Sequence, residues 1–495
     1  MGIDIGTSST RVLLMDCDGH IVAIGQKHYS FDIPYEGWSE QNPEDWWSAV
    51  KYCSHDILEK TSIKKEEIKS IGFSGQMHGL VPLDENNKAV RKAILWCDQR
   101  SIKEVKEIEN KIGKKKLGEI AHSPTATGFL LPSLLWMKNC ENDLFNKIKY
   151  VILPKDYVRF KMTGIVASEV TDAASTTALD CNTNTWSKEI IEALDISTSI
   201  FPKLGIPEAV AGFLTPSAAE QLGLLEGTTI AYGGADQVMQ AIGNGVVNPG
   251  KALVTIGSSG QILMPLNSPI FDEKLRSHCF SFVENRCYYM GAVMASGLSL
   301  KWMKGNIAPD ESFKDIDTEV EKIPAGSEGL VFLPYIIGER TPLMDPEARG
   351  VLFGLTSKHT KYHILRAVME GVVFSLRSCK DILEIDLKQK VDYFIAAGGA
   401  SQSKLWVQIQ ADILNSKIYT SNMTEQSGVG AAIAAGISIG VYKNYDQAIS
   451  KVIKLNKTSI EPINENVKLY DIMFEIYKDL YENTKANMHK LSRIT

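Results

Sequence analysis

Apolar runs alternate with polar turns along most of the chain, and they predict strands separated by helices. β-rich runs flank a turn within residues 3–15, and a third run covers 21–29. Asn42-Pro43 then begins a helix, with Asn as the cap and Pro at the first position. Apolar residues recur at helical spacing on its buried side: Trp46, Val50, Cys53 and Ile57. Residues 68–72 follow as a short buried strand, and this order is typical of an α/β sheet.

Two segments repeat one pattern: a β-rich run, a turn of small residues and a second β-rich run. They are residues 3–10 (IDIGTSST) and 254–261 (VTIGSSGQ). Glycine lets the backbone approach a phosphate closely, so N–H groups and hydroxyls in such turns can hold phosphate oxygens. The repeat predicts two phosphate hairpins that face one nucleoside triphosphate across a cleft. Only the first carries an acid, Asp4, for a hydrated Mg²⁺, and two unrelated glycine hairpins are the plainer alternative.

The second half repeats the alternation of strands and helices from about Gly233. Its predicted helices cover residues 362–383, 403–415 and 467–490. No low-complexity linker separates the halves, which favours a tight hinge. We therefore expect one domain over residues 1–245 and another over 246–495, with the C-terminal helix packing back on the first.

Composition narrows the class of protein. The chain has 495 residues, 44% hydrophobic and 23% charged, which suits a large globular enzyme. A net charge of -6 gives no reason to expect binding to nucleic acid or to an anionic membrane. The eight cysteines are scattered without a Cys-x-x-Cys pair, as in reduced proteins. The longest apolar stretch, residues 428–442, is shorter than the roughly 20 residues of a membrane span, and no signal peptide precedes the first strand. We expect a cytoplasmic protein.

Several motifs resemble those of the FGGY family of carbohydrate kinases. Residues 4–7 (DIGT) match the family's first motif, and residues 37–43 (GWSEQNP) match the segment that follows. The family's C-terminal signature is matched in full within residues 350–370, and residues 338–342 (GERTP) match another segment. The resemblance implies two actin-like (ribonuclease H-like) α/β domains flanking a catalytic cleft. It implies ATP and Mg²⁺ as cofactors and a small-molecule sugar as the partner, and it is compatible with a homodimer.

Residues 233–237 (GGADQ) resemble the family's Gly-Gly-Asp motif, whose Asp is the general base. By that match Asp236 takes the proton from the sugar hydroxyl that attacks the γ-phosphate. Asp4 is the second catalytic carboxylate and the implied metal ligand. Without the family resemblance, the residues alone favour a different interpretation, in which Asp236 is a turn residue that caps the next helix, residues 238–243.

Residues 76–79 (QMHG) resemble the segment that binds the sugar in xylulokinases, with Met77 and His78 against the ketose. Histidine can hydrogen-bond a hydroxyl through either ring nitrogen. In isolation, a histidine that satisfies a loop carbonyl is an equal alternative. With Asp236 and Gln237 as further sugar contacts, the resemblance implies transfer to O5 of D-xylulose. Gln237 departs from the Asn of many xylulokinases, and gluconate, ribulose or another polyol remain alternative substrates.

Nucleotide binding is implied mostly for the second half, where residues 397–401 (AGGAS) resemble the family's adenosine motif. By position along the matching motifs, the ATP contacts are Gly6, Thr7, Ser258, Gly297, Lys301, Gly399 and Ser403. A Gly-Gly turn before a helix also has a plain explanation as tight packing, and a lysine in a predicted helix usually faces solvent.

Two other classes of protein share part of this pattern. A Rossmann oxidoreductase would need Gly-x-Gly-x-x-Gly after the first strand, and the sequence lacks it there. A non-catalytic ATPase of the actin superfamily would share both hairpins but would need neither a sugar pocket nor a base. Met77, His78 and Asp236 therefore favour the kinase.

Overall fold

The computed structural model describes residues 1–421 and 423–494. Two mixed sheets form its framework, and both are built to one plan. In each, three antiparallel strands are followed by two parallel ones, and one further antiparallel strand pairs at an edge. The doubled α/β plan confirms the fold class that the resemblance implied.

The first half of the chain supplies the first sheet and most of the helices around it. Its strands are β1 Gly2–Ile5, β2 Ser9–Met15, β3 Ile21–His28, β4 Glu40–Gln41, β5 Ser70–Gly75, β6 Val81–Leu83, β7 Ala93–Ile94, β8 Tyr150–Ile152, β9 Ser168–Glu169, β10 Leu179–Asp180, β11 Thr185–Trp186, β12 Leu204–Gly205, β13 Val210–Phe213, β14 Thr229–Ala231 and β15 Gly234–Ala235. Its helices are α1 Pro43–Lys60, α2 Ile102–Ile112, α3 Lys114–Ala121, α4 Leu130–Cys140, α5 Asn142–Phe145, α6 Pro154–Thr163, α7 Val170–Ala173, α8 Lys188–Glu192, α9 Pro216–Leu222 and α10 Asp236–Gly243.

The second half supplies the second sheet. Its strands are β16 Lys251–Ile256, β17 Gly260–Leu266, β18 His278–Ser281, β19 Cys287–Val293, β20 Val331–Leu333, β21 Val351–Phe353, β22 Tyr393–Ala397 and β23 Ile418–Thr420. Its helices are α11 Gly297–Ile307, α12 Phe313–Val320, α13 Lys361–Asp381, α14 Lys404–Leu414, α15 Gln426–Ser438, α16 Tyr445–Val452 and α17 Asn464–Ser492.

The first sheet runs β13-β14-β5-β1-β2-β3, and β15 also pairs with β5. β1 and β2 form the first predicted hairpin, and β5 runs parallel to β1. Helix α1 begins where the sequence predicted, because the Asn42 side chain accepts a hydrogen bond from the N–H of Glu44. All four apolar residues predicted to face the core are buried: Trp46, Val50, Cys53 and Ile57.

The second sheet runs β18-β19-β17-β16-β22-β23. β16 and β17 form the second predicted hairpin, and β22 runs parallel to β16. The pairs β1–β2 and β16–β17 therefore hold equivalent places in the two sheets. This equivalence explains why the two turn sequences resemble each other.

Helices α10 and α15 meet between the two sheets at very close range. A Cβ atom on Gly72 of β5 would lie 2.1 Å from the carbonyl oxygen of Ala431, and one on Gly430 would lie 2.0 Å from that of Met239. The apolar stretch 428–442 is thus mostly an internal helix that needs small residues to fit. In the ranges that the structure describes, no helix is long and apolar enough to cross a membrane.

The structure differs from two sequence expectations. The segment from Gly233 belongs to the first sheet, because β15 pairs with β5, and the second sheet begins only at Lys251. The C-terminal helix α17 packs on α13, α14 and β20 of the second half instead of returning to the first. The reason is an aromatic stripe on α17, whose rings pack around Phe374 of α13: Tyr470, Phe474 and Tyr477.

Candidate active site

Strand register brings the two predicted catalytic carboxylates to one edge of the first sheet. β5 lies between β1 and β15 and runs parallel to both, with Asp4 opposite Ser74 and Ser74 opposite Gly234. Asp236 follows Gly234 by two residues. The carboxyl ends of parallel strands share an edge, which is the usual place for ligands in α/β sheets. Asp4 and Asp236 therefore face the same space although the sequence separates them widely.

Asp236 is the first residue of α10, and the structure does not support a capping role. Ala235 is the N-cap, and the described residues provide no side-chain capping hydrogen bond for this helix. The Asp236 Oδ1 atom is buried and has no hydrogen-bond partner among the described residues. Burial, and then the nearby charge of Asp4, raise the pKa of Asp236 to about 7. A carboxyl with that pKa can accept a proton near neutral pH, as a general base must.

The glycines before Asp236 fix where that carboxyl lies. Gly233 has a φ of 70°, and a Cβ atom there would lie 2.3 Å from the carbonyl oxygen of Phe73. Only glycine combines this backbone conformation with so close an approach. The N–H of Ala235 donates to Thr171 Oγ1 at 3.1 Å, which holds the next residue in place. The turn thus presents Asp236 at the sheet edge by backbone contacts.

The turn of the first hairpin is anchored by side chains from elsewhere in the first half. Thr7 Oγ1 donates to Gln76 Oε1 at 3.1 Å and accepts from Trp96 Nε1 at 2.9 Å. Gln41 Nε2 donates to the Thr7 carbonyl at 2.8 Å. The Gly6 N–H closes the turn on the Ser9 carbonyl at 3.0 Å. These bonds hold the turn in place, and the one to Gln76 connects it directly to the QMHG segment.

Asp4 faces a small polar cavity of about 100 Å³ that it shares with Arg11, Gln240 and Glu425. Ser74 Oγ donates to Asp4 Oδ1 at 2.7 Å, and Arg11 pairs with Glu425 at 3.4 Å. Burial raises the pKa of Asp4, and the Ser74 bond and the Arg11 charge oppose that rise. Mg²⁺ is commonly held by one or two carboxylates together with phosphate oxygens and water. The oxygen donors around this cavity suit such an ion.

The turn of the second hairpin is docked against the start of α11. The N–H of Gly297 donates to the Gly257 carbonyl at 2.8 Å, and that of Ser296 donates to the Ser258 carbonyl at 2.9 Å. A Cβ atom on Gly297 would lie 2.4 Å from the Gly257 oxygen. The contact therefore requires glycine at position 297. It places the N-terminus of α11, where backbone N–H groups favour anions, beside the second turn.

A cavity of about 300 Å³ opens from this turn, and the residues of the second half that were predicted to contact ATP all line it: Ser258, Gly297, Lys301, Gly399 and Ser403. A Cβ atom on Gly399 would meet nothing within 4 Å among the described residues, so packing against them does not explain this glycine. Lys301 belongs to α11 as predicted, and it borders the cavity although it is exposed. The apolar walls and the small residues at the turn suit a nucleotide.

The second hairpin also contacts the residue beside the base. Gln261 Nε2, at the start of β17, donates to the Gln237 amide oxygen and lies 3.4 Å from Gln240 Oε1. Thr255 Oγ1 donates to the same Gln240 oxygen at 3.3 Å. Gln237 was predicted to contact the sugar. Its side-chain oxygen already accepts the hydrogen bond from Gln261. Asp236 therefore lies near Asp4 of the first hairpin, and its neighbour Gln237 contacts the second hairpin.

His78 is held as a neutral imidazole. Its Nδ1 lies 2.7 Å from the Ser175 carbonyl oxygen, which can only accept, so Nδ1 carries the proton and Nε2 is free to accept. Burial, with a smaller contribution from the positive charge of Arg340, lowers the pKa of His78 to about 3 although the hydrogen bond to Ser175 opposes the fall. The ring stacks on Phe129 at 3.9 Å between centroids, and φ is 72°. His78 thus satisfies a loop carbonyl and still offers an acceptor for a hydroxyl.

Near His78, the sequence reasoning missed one residue, His278. His278 of the second half stacks on Phe280 at 5.2 Å, and its Nδ1 lies 2.7 Å from Ser123 Oγ. Burial and then the positive charge of Arg340 lower the pKa of His278 to about 3. No ion pair involves Arg340 within residues 1–421 and 423–494. The GERTP match pointed to Arg340, whereas nothing in the sequence distinguished His278.

Comparison with known proteins agrees with this geometry. Residues 1–243 match the N-terminal domain of the FGGY family of carbohydrate kinases, and residues 252–439 match its C-terminal domain. The chain is 37% identical to the xylulose kinase of Lactococcus lactis over 492 residues, which covers 99% of this chain and 98% of that protein.

Two solved structures from Lactobacillus acidophilus have nearly the same fold. One is described as a ligand-bound xylulose kinase and the other as a gluconate kinase. Each superposes with a TM-score of 0.94 at 27% identity and covers 99% of both chains. The matches extend over both halves, both phosphate hairpins and the base motif. The protein is therefore a member of the FGGY family of carbohydrate kinases.

Proposed function

We propose that the protein transfers the γ-phosphate of ATP, with Mg²⁺, to O5 of D-xylulose and forms D-xylulose 5-phosphate. The observation that carries the choice of sugar is the segment Gln76–Gly79. It is tied to the first phosphate hairpin through Gln76, and it presents His78 as a neutral hydrogen-bond acceptor. The similarity to a xylulose kinase over nearly the whole chain supports the same substrate.

The residues of the chain account for the chemical step. Asp236 takes the proton from the O5 hydroxyl while that oxygen attacks the γ-phosphorus, and the bond from phosphorus to the bridging oxygen breaks with its electron pair leaving on ADP. The buried Oδ1 of Asp236 has no protein hydrogen-bond partner in the described ranges, so it is free for the substrate hydroxyl. His78 Nε2 accepts a hydrogen bond from another hydroxyl of the sugar and orients it.

Nucleotide and metal would be held by the two hairpins and the 300 Å³ cavity. Gly6 and Thr7 of the first turn and Ser258 of the second would bind the phosphates. Gly297, Lys301, Gly399 and Ser403 line the cavity for the nucleoside. Asp4 would bind Mg²⁺, which supplies charge neutralisation for the transferring phosphoryl group.

Gluconate is a second candidate substrate, and a specific observation favours it. Arg340 lies near His78 and His278, and its charge lowers the pKa of both. Among the described residues it forms no ion pair. A guanidinium in that position could hold the carboxylate of an aldonic acid. The gluconate kinase superposes as well as the xylulose kinase does.

A panel of acceptors distinguishes these candidates. ADP release would be measured with MgATP and D-xylulose, D-ribulose, gluconate, glycerol or no acceptor. We expect the largest kcat/KM with D-xylulose. A preference for gluconate that is lost in Arg340→Met would establish the second candidate, and ATP hydrolysis without any acceptor preference would contradict both.

We also infer that the enzyme works in the cytoplasm. All eight cysteines are free thiols, five of them buried, which suits a reducing compartment. Fractionation of the native host, followed by activity measurements on each fraction, tests this placement.

A further inference from the structure

Helix α12 forms one wall of the nucleotide cavity, and none of its residues was predicted to contact ATP. Phe313 and Asp317 both line the cavity, and they share a helix face because they are four residues apart. Phe313 is 50% exposed, so its ring is available to a ligand in the cavity. The helix therefore presents an aromatic face and a carboxylate to whatever fills the cavity.

Asp317 is the one carboxylate in the lining that the structure describes. No lysine or arginine of the described chain pairs with it, not even Lys301 in the same cavity. Burial raises its pKa, and interaction with the Ser403 hydroxyl partly opposes that rise. A half-buried carboxylate without a cation needs hydrogen-bond donors. The Ser403 hydroxyl is one such donor, and a ligand in the cavity can supply another.

The other lining residues indicate which part of a nucleotide lies here. Apolar and aromatic side chains surround Asp317: Ile256, Leu298, Leu300, Phe313 and Trp406. Such walls suit the flat faces of a base better than a sugar or a phosphate. Adenine carries a 6-amino group, which donates, whereas guanine and hypoxanthine carry a 6-oxo group, which accepts. A carboxylate accepts a hydrogen bond from the 6-amino group, whereas it repels the 6-oxo group.

We propose that Asp317 accepts a hydrogen bond from the 6-amino group of the purine and thereby selects adenine nucleotides over 6-oxopurine nucleotides. This proposal rests on the assignment of the 300 Å³ cavity to the nucleotide.

The test is the nucleotide preference of Asp317→Asn. Values of kcat/KM would be measured for ATP, ITP and 2′-deoxy-ATP at a saturating concentration of the best sugar acceptor. Asparagine keeps the shape and can donate to a 6-oxo group. We expect the ratio of ATP to ITP to fall roughly tenfold or more, the usual effect of losing a hydrogen bond to a charged group. The ratio of ATP to 2′-deoxy-ATP should not change.

Controls separate this proposal from the assignment of the cavity. Asp310→Asn removes an exposed acid just before α12 and should leave both ratios unchanged. Gly399→Val fills the cavity and should raise KM for all three nucleotides together. If Gly399→Val has no effect, the cavity assignment fails. If that variant behaves as expected but Asp317→Asn leaves the ATP to ITP ratio unchanged, or changes the 2′-deoxy-ATP ratio instead, the role proposed for Asp317 is wrong.

Discussion

At the scale of single residues, the reactivity of Asp236 follows from its surroundings. Its carboxyl is buried at a sheet edge beside a second carboxyl, and both effects disfavour the charged form. The raised pKa makes it a stronger base than an exposed aspartate while leaving it ionised at slightly alkaline pH. The backbone of Gly233 and Gly234 fixes the position of Asp236.

We expect Asp236→Asn to lower kcat by roughly 10²- to 10⁴-fold, because the amide cannot accept the proton. In the wild-type enzyme, kcat/KM should fall as the pH drops below about 7, since the base must be ionised and its pKa is raised to that value. Steady-state rates between pH 5.5 and 9 test both points.

Binding of the sugar, followed by calorimetry, is the control for Asp236→Asn and should weaken much less than turnover. Near-normal turnover of this variant would show that another group takes the proton.

We expect Asp4→Asn to raise the Mg²⁺ concentration needed for half-maximal rate and to lower kcat. Asparagine keeps the acceptor for Ser74 Oγ but removes the charge that attracts the ion. Titration of Mg²⁺ against rate at constant ATP measures the effect. An unchanged Mg²⁺ dependence would exclude a metal role for Asp4, and the thermal unfolding midpoint checks that the fold survives.

Sequence reasoning located the residues whose role depends on local motifs and missed those that only the fold assembles. Asp4, Asp236 and His78 stand in short recognisable segments. His278 and Asp317 do not, because they reach their sites through strand pairing and helix placement. The neutral state of His78 could not be predicted either, since it depends on the Ser175 carbonyl and on burial.

At the scale of elements, hairpins and capped helices follow from local chemistry. Both phosphate hairpins and the start of α1 at Asn42 lie where their sequences predicted. The predictions for the segment after Gly233 and for helix α17 were wrong. The first depends on pairing with β5 and the second on packing against Phe374, and both are contacts between residues far apart in the sequence. Close contacts such as that between Gly72 and Ala431 explain why small residues occur in β5 and α15. Local sequence patterns do not predict these contacts.

The turn before α14 provides a test at this scale. We expect Gly399→Ala to raise KM for ATP several-fold with little change in stability, because the new methyl group meets no protein atom within 4 Å but enters the cavity. Gly305→Ala is the matched control, since that glycine on the exposed side of α11 also has open space around it. Equal KM values for the two variants would argue against nucleotide binding at Gly399.

At the scale of the whole molecule, the proposed catalytic groups and the proposed nucleotide cavity belong to two similar sheets. Asp4, Asp236 and His78 belong to the first, and the 300 Å³ cavity belongs to the second. The halves also touch at the sugar end, where the N–H of Cys279 donates to the His122 carbonyl at 2.9 Å. We retain the division into residues 1–245 and 246–495 as a proposal, with α15 packed on the first sheet.

This arrangement requires the halves to approach each other when substrates bind, so that ATP on one side meets sugar on the other and water is excluded. We expect the radius of gyration to decrease when D-xylulose and a non-hydrolysable ATP analogue are both present. Small-angle scattering of the free and bound protein measures it. Identical radii in all states would contradict closure.

The central claim is that this fold transfers a phosphoryl group from ATP to O5 of D-xylulose with Asp236 as the base. Its most direct test is ³¹P and ¹³C NMR of the product formed from MgATP and ¹³C-labelled D-xylulose by the wild-type enzyme and by Asp236→Asn. We expect phosphorus coupling at C5, appearing at least roughly 10²-fold more slowly with the variant. A phosphate ester at another carbon, inorganic phosphate alone, or equal rates for the two proteins would contradict the account.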